Sequence, residues 1–191
     1  MARKAKSKTR ASGNGLDDAR THELSLMRTG LRAAETLEVA SGTFDSEIPE
    51  AQSEYAEGIS PEISWTSVEG ARSYALILED PDAKEVIPFV HWVAYNIPAE
   101  LTTLPEGLDG EEELLEPARI FQGLTSRGTV GYFGPRPPEG DPPHHYHFQV
   151  FALDRRLDLP PGAVRDDVVQ AMSGHVLAAG ELVGTYQRAA P

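Results

Sequence analysis

The chain has 191 residues and a formal net charge of −13 at pH 7, with 40% hydrophobic residues and no cysteine. This length predicts one domain with an ordinary apolar core, and the missing cysteines exclude disulfides, thiolate metal sites and a cysteine nucleophile. The acidic balance disfavours a domain that binds nucleic acid, which needs clustered Lys and Arg, and no apolar run reaches the ~18 residues of a transmembrane helix.

The first 36 residues differ in charge and pattern from the rest. Residues 1–20 hold six Lys and Arg against two Asp, which predicts a disordered basic tail. This tail either keeps an acidic domain soluble or acts as an arm that contacts nucleic acid or an anionic surface. No apolar stretch typical of a secretory signal follows, so we expect a cytoplasmic protein. Residues 21–36 have the apolar spacing of an amphipathic helix, interrupted by Gly30, and predict a helical extension before a domain over 37–191.

From residue 37 onward, short apolar segments alternate with Pro, Gly and Asp. Several of the segments are rich in β-branched and aromatic residues, which favours β-strands. The predicted strands are 37–43, 63–66, 73–79, 89–97, 146–153 and 182–187. Many short strands of this kind predict a mainly β protein, either an antiparallel sandwich or a barrel.

One convincing helix is predicted in the second half of the chain, over 162–173, with Gly174 as its stop. The side chains predicted to share its apolar face are Val164, Val168, Ala171 and Met172. The acidic segment 106–117 is interpreted as a surface loop or a short surface helix.

Two groups of polar residues lie on neighbouring parts of this pattern. Asp80 and Asp82 follow strand 73–79 with a proline between them, which is compatible either with an ordinary turn or with two carboxylates leaving a sheet together. His91 lies inside an aromatic strand, where a period of two places it on the face opposite Trp92. Considered alone, His91 is compatible either with a buried core histidine or with a functional group.

A third group begins with the Pro- and Gly-rich loop 131–138 and continues into a strand that starts at His144. Alternation along the strand places His144 and Tyr146 on one face, and His145 and His147 on the other. Because the histidines are split between two faces, and no carboxylate or cysteine completes a ligand spacing, no metal site is predicted.

If these strands are neighbours, Asp80, Asp82, His91, His144 and Tyr146 converge at one edge of a sheet. Imidazolium groups that donate to carboxylates, together with a tyrosine hydroxyl, can hold a phosphate or carboxylate, and a spare carboxylate could accept an ammonium group. The same groups could perform acid–base catalysis on a phosphate- or carbonyl-bearing small molecule. A third hypothesis is an interaction module in which the acidic body and basic tail recruit a partner.

In this order, the motifs resemble those of the phosphatidylethanolamine-binding protein family, specifically its prokaryotic Raf-kinase-inhibitor-like branch. The resembling segments are 59–65, 73–82, 89–98, 131–138, 144–154 and 171–188. The resemblance implies an antiparallel β-sandwich with a few short peripheral helices and a small anion pocket at one end. The ligand-binding residues that it implies are Asp80, Asp82, His91, Gly134, Pro135, His144 and Tyr146.

The resemblance also implies a function. Family members bind phosphate, acetate-like anions and phosphoethanolamine-type head groups, need no cofactor, and are regarded as binding or inhibitory proteins rather than enzymes. Some of them inhibit kinases or proteases. We therefore expect a non-enzymatic small-anion binding protein, with a kinase or protease as a candidate target and a monomer or a homodimer as its assembly.

The chain departs from the family pattern around the expected pocket. Lys84 stands where the family usually has proline, Arg136 where it often has cysteine, and His145 where arginine is common. Residues 54–58 replace a Cys-Asp-Gly-x-Asn segment of the prokaryotic branch. The expected core of the pocket is kept, and its rim, which would set ligand preference, is changed.

Overall fold

The fold of this chain consists of two packed β-sheets, and the computed structural model describes residues 23–31, 33, 35–85 and 87–190. The predicted basic tail over 1–20 lies outside them. The strands are β1 (Glu35–Thr36), β2 (Val39–Ala40), β3 (Ile63–Trp65), β4 (Ser73–Asp80), β5 (Phe89–Pro98), β6 (Thr103–Leu104), β7 (Glu113–Leu114), β8 (Ile120–Gln122), β9 (His144–Leu153) and β10 (Val176–Tyr186). The helix α1 (Arg165–Met172) precedes β10, and 3₁₀ turns lie at Ser25–Met27, Thr29–Leu31 and Glu50–Gln52.

Seven strands form a large sheet in the order β1-β10-β9-β4-β5-β8-β7, and three form a small sheet in the order β2-β3-β6. Strand β1 runs parallel to β10, whereas β4 pairs with both β5 and β9 in antiparallel register. All eight residues of β4 are buried. A strand covered on both faces has a nearly continuous apolar sequence, which explains why 73–79 shows no polar alternation.

Apolar side chains from the large sheet form two cores, one on each face. The inner core lies between the two sheets, where Trp65 and Leu104 of the small sheet meet Trp92 of the large one. The outer core lies beneath α1, where Val168 and Met172 pack on the opposite face of the large sheet. The expected mainly β sandwich with short peripheral helices is confirmed.

A β-bulge in β5 sets the position of His91. Residues 78 and 79 of β4 pair with Trp92 and Val90 respectively, so His91 is the extra residue on β5. Val90 packs in the outer core and Trp92 in the inner core, although strict alternation would place both on one face. The His91 ring lies 5.1 Å from the ring of Tyr146, an inner-core residue. The prediction that His91 and Trp92 point to opposite faces is therefore wrong.

The helix predicted over 21–36 is wrong for its described part, which forms two 3₁₀ turns followed by strand β1. Tertiary bonds hold this segment: the Ser25 N–H donates to Glu79 Oε2 at 2.7 Å, and the Leu26 N–H donates to the Gln149 side chain at 2.6 Å. Gly30 lies against the end of α1, where an added Cβ would be 2.4 Å from the Ser173 hydroxyl. The chain follows the surface it covers instead of completing a helix.

Three other boundaries differ from the prediction. The strand predicted over 37–43 is interrupted, because the chain leaves the large sheet after β1 and joins the small sheet at β2. The loop or short helix predicted over 106–117 contains β7, whose Leu114 is buried and paired with β8. Strand β10 starts six residues before the predicted 182–187.

The predicted helix over 162–173 is confirmed as α1, which begins at Arg165. Val164 is wrong as a member of its buried face, because this residue precedes the helix and is 43% exposed. Gly174 has the positive φ of +80° that suits a residue ending a helix. Among the described residues, no helix combines the length and apolar character needed to cross a membrane.

Candidate functional site

Asp80, the last residue of β4, forms the floor of a cavity at one end of the large sheet. Its Oδ1 accepts the backbone N–H groups of Asp82 at 2.8 Å and Ala83 at 3.2 Å. Its Oδ2 lies 2.7 Å from Nδ1 of His144, the first residue of β9. Asp80 and His144 are only 3% and 5% exposed. Both oxygens of this buried carboxylate are therefore engaged within the protein.

His91 lies beside this pair, brought there by the bulge in β5. Its Nδ1 is 2.7 Å from the Phe133 carbonyl oxygen, and since a carbonyl only accepts, Nδ1 must carry the proton. Burial lowers the pKa of His91 to about 4, although the bond to Phe133 and the nearby Asp80 oppose this shift. The ring is therefore neutral near pH 7, and Nε2 makes no hydrogen bond with the described residues.

Aromatic rings form one wall of the cavity. The Phe89 ring centroid lies 4.7 Å from that of His91 and 5.9 Å from that of Phe133. The third pair, His91 and Phe133, is separated by 5.7 Å. Three mutually contacting rings fix the imidazole in place and provide apolar surface next to it.

The cavity has a volume of about 390 Å³ and is lined by both charged and apolar side chains. Its lining residues are Asp80, Ala83, Lys84, Glu85, Phe89, His91, Arg127, Phe133, Arg136, Pro137, Pro138 and His144. Three of these residues are cationic, and two are acidic, of which Asp80 is already engaged. The cavity can therefore attract an anion through long cationic side chains and hold an attached apolar group against its rings and prolines.

Of the seven predicted site residues, Asp80, His91 and His144 line the cavity together. Asp82 instead turns outward to His145, whose backbone N–H and Nδ1 lie 2.8 and 2.7 Å from the same carboxylate oxygen. Burial acts to raise the pKa of Asp82, but the hydrogen bonds from His145 outweigh it and the pKa is lowered. The carboxylate of Asp82 thus belongs to a surface pair.

Gly134 and Pro135 connect the cavity wall to a neighbouring loop. The Gly134 N–H donates to the Glu54 side chain at 2.9 Å, and the Pro135 carbonyl accepts the Glu54 N–H at 3.1 Å. A Cβ added to Gly134 would lie 2.2 Å from the carbonyl oxygen of Gln52. These two residues lie outside the cavity lining and hold the preceding Phe133 in position.

Tyr146 lies behind the two imidazoles and is fully buried. Its ring meets that of His91 edge-on and stacks on His144 with 6.4 Å between centroids. The described residues offer its hydroxyl no hydrogen-bond partner, and burial together with the Asp80 charge raises its pKa. Tyr146 therefore supports the two histidines as a neutral phenol without lining the cavity.

The remaining lining residues include some that sequence patterns did not single out. Lys84 and Arg136 are departures from the family pattern, and the structure places both on the cavity. Arg127 lies in a polar turn with no recognisable motif, and its guanidinium carbon is 5.7 Å from the Phe133 ring centroid. Phe133 stands between two glycines in the loop 131–138, and no sequence signal marks its carbonyl as the partner of His91.

The three histidines at the start of β9 are each paired with a different carboxylate. His144 bonds to Asp80, His145 to Asp82, and His147 to Glu181. No group of three or more His, Asp or Glu side chains within the described ranges is placed to hold a metal ion.

Comparison with known proteins identifies the fold. A family model described as phosphatidylethanolamine-binding protein matches residues 38–187. The chain belongs to the phosphatidylethanolamine-binding protein family. This confirms the resemblance drawn from the sequence motifs, and the matched range contains every residue of the cavity lining.

Curated relatives agree with this family assignment. The chain is 48% identical over 120 residues to UPF0098 protein PH1269 of Pyrococcus horikoshii, a match that covers 63% of this chain and 60% of the relative. It is 43% identical over 156 residues to a UPF0098 protein of Aquifex aeolicus, which covers 80% of this chain and 89% of the relative. The chain thus spans about 60% of the length of the Pyrococcus relative.

Two solved structures share the fold. A phosphatidylethanolamine-binding protein homolog from Chlamydia trachomatis, CT736, superposes with a TM-score of 0.70 at 33% identity, covering 81% of this chain and 99% of that chain. YbcL of Escherichia coli, described as a member of the mammalian family, superposes with a TM-score of 0.73 at 28% identity, covering 79% and 98%.

Proposed function

We propose that the cavity around His91 binds a small anion, with a phosphate-bearing head group as its best-fitting ligand. The observation that carries this proposal is the free Nε2 of a buried, neutral imidazole in a cavity lined by Lys84, Arg127 and Arg136. An anion beside Nε2 favours its protonated form, so binding would draw a proton onto His91. The ring would then donate to the ligand while Nδ1 keeps its bond to Phe133.

The buried carboxylate has a supporting part in this proposal. Asp80 orients His144 through its 2.7 Å bond to Nδ1 and caps the loop that starts at β4. With three protein donors on its two oxygens, Asp80 has at most one acceptor position left for an ammonium group. The cavity lining offers three cationic side chains to the phosphate part of a zwitterionic head group and only Glu85 besides Asp80 to its ammonium part, which favours the phosphate part.

Binding without turnover is part of the proposal, and an acid–base enzyme is the alternative. Catalysis would need a carboxylate or imidazole that exchanges protons with a substrate. Asp80 is held by three protein donors, and in this proposal the proton taken up by His91 stays in its hydrogen bond to the anion. Product that forms from a phosphate ester with the wild-type protein, but not with Asp80→Asn, would support the enzyme instead. Regulation of a kinase or protease and a cytoplasmic location, both expected from the sequence, stay predictions.

Titration calorimetry with inorganic phosphate and with phosphoethanolamine tests the proposal. We expect binding by the wild type, loss of binding in His91→Ala and weaker binding in His144→Ala. His147→Ala is the matched control, because its ring bonds to Glu181 away from the cavity and its removal should leave affinity unchanged. A ligand at a hundredfold excess over its Kd should stabilise the fold by about 2.7 kcal/mol. If the wild type shows neither binding heat nor thermal stabilisation with phosphate, and neither with phosphoethanolamine, the proposal is refuted.

A further inference from the structure

An ion pair between Lys84 and Asp141 lies at the mouth of the cavity. The Lys84 ammonium is 2.8 Å from Asp141 Oδ2 and 3.1 Å from Oδ1. The same Oδ2 lies 3.9 Å from Nε2 of His144, on the cavity wall. One carboxylate of the protein thus stands between a rim cation and a wall imidazole.

The two partners are held to different extents. The Asp141 backbone is anchored, because its N–H donates to the Pro138 carbonyl at 3.2 Å and its carbonyl accepts the Gln187 side chain at 3.0 Å. Its side chain is 19% exposed, whereas that of Lys84 is 73% exposed. The lysine can therefore exchange one anionic partner for another while Asp141 stays in place.

We infer that Asp141 acts as a resident competitor for the ligand, and that the cavity selects dianionic phosphate monoesters. The inference rests on the proposed anion-binding function. A ligand that reaches Lys84 must replace the bidentate carboxylate on this cation, and it then lies close to the displaced negative charge. A monoester dianion has three terminal oxygens and enough charge to make this exchange while contacting Arg127, Arg136 or His91 as well.

A phosphodiester or a simple carboxylate must also replace Asp141 on Lys84, but it carries only one negative charge. Such a monoanion offers two terminal oxygens, about as many as Asp141 already presents to Lys84. Replacing Asp141 on the Lys84 ammonium then gives little net binding free energy, so these ligands are expected to bind weakly. Lys84 and Asp141 are therefore proposed as specificity-determining residues, distinct from the buried Asp80–His144 pair.

Methyl phosphate and dimethyl phosphate are probes that differ mainly in charge, and calorimetry at pH 7.5 compares them. The wild type should bind the monoester more tightly than the diester. Lys84→Met should weaken monoester binding, and Asp141→Asn should strengthen it by about fivefold, which corresponds to the upper range for an exposed ion pair. The gain from Asp141→Asn should be larger with Lys84 present than in the Lys84→Met background.

Glu85→Gln is the control for a simple change in electrostatic field. Glu85 also lines the cavity but makes no ion pair among the described residues, so its neutralisation should give a smaller gain than Asp141→Asn. Equal gains in these two variants, or a gain from Asp141→Asn that is independent of Lys84, would overturn the inference and leave the proposed function standing. Tighter binding of methyl phosphate by Asp141→Asn than by the wild type, seen only when Lys84 is present, would support the competitor. No binding by any variant would overturn both the inference and the proposed function.

Discussion

Glu79 and Asp80 are adjacent in β4, yet their carboxylates serve opposite faces of the large sheet. Glu79 Oε1 lies 2.9 Å from Nη1 of Arg165 in α1, and the Glu79 side chain is 0% exposed. Asp80 Oδ2 lies 2.7 Å from His144 on the cavity side. The outer layer of the fold is therefore fixed to the same end of β4 that carries the cavity floor.

The Glu79–Arg165 pair should be essential for stability. Arg165→Met would leave Glu79 buried with only the Ser25 and Gln149 hydrogen bonds, and breaking a buried pair of this kind costs about 3–5 kcal/mol. Urea unfolding measures the change in unfolding free energy. Arg119→Met is the matched control, because the Arg119 side chain is 64% exposed and a surface pair contributes about 0–1 kcal/mol. If Arg165→Met and Arg119→Met lower the unfolding free energy equally, this role for the buried pair is contradicted.

The segment before β1 should contribute to the stability of the domain, although the matched family range starts at residue 38. Leu31 is 1% exposed and packs in the outer core. Leu31→Ala should therefore lower the unfolding free energy by about 2–5 kcal/mol, the usual cost of removing a buried leucine side chain.

Met27→Ala tests whether this loss is specific to burial. Met27 lies in the same segment but is 66% exposed, so its truncation should change the unfolding free energy by less than about 0.5 kcal/mol. A Leu31→Ala variant as stable as Met27→Ala would show that the segment is dispensable for folding.

The sequence was sufficient to predict the fold and to predict that the three central residues of the candidate site lie together. Ordered motifs spread over four-fifths of the chain identified the family, and they brought Asp80, His91 and His144 to one cavity as expected. The alternation that separates His144 from His145 was also confirmed, since β9 alternates between buried and exposed residues at its start. Local periodicity is reliable where a strand pairs without interruption.

Features that depend on distant contacts could not be predicted in this way. The bulge at His91 arises from a register shift between β4 and β5, which no periodic pattern in β5 reveals. The Lys84–Asp141 pair joins residues 57 positions apart, and both look like ordinary loop residues in the sequence. Asp82 was expected beside Asp80 in the site, but the turn after β4 directs its side chain to the exposed His145.

The stability of the fold should depend on pH through His91. Its pKa falls from 6.5 to about 4 because burial disfavours the charged ring. Between these two values the unfolded chain binds more protons than the folded one, so the unfolding free energy rises with pH and the contribution is complete above about 6.5. This contribution should be lost as the pH falls toward 4. Urea unfolding between pH 4 and 7 should show a smaller slope in His91→Gln and the wild-type slope in His147→Gln.

Anion affinity should change with pH in the opposite direction, because binding is proposed to protonate the His91 Nε2. Affinity should therefore fall as pH rises from the free-state pKa of about 4 toward the higher pKa of the bound state, by up to about tenfold per pH unit. Sulfate suits this measurement, since its own charge stays constant between about pH 5 and 8, the range in which a perturbed histidine titrates. The slope should disappear in His91→Gln and persist in His147→Gln. A flat wild-type profile would mean that groups other than the His91 ring hold the anion.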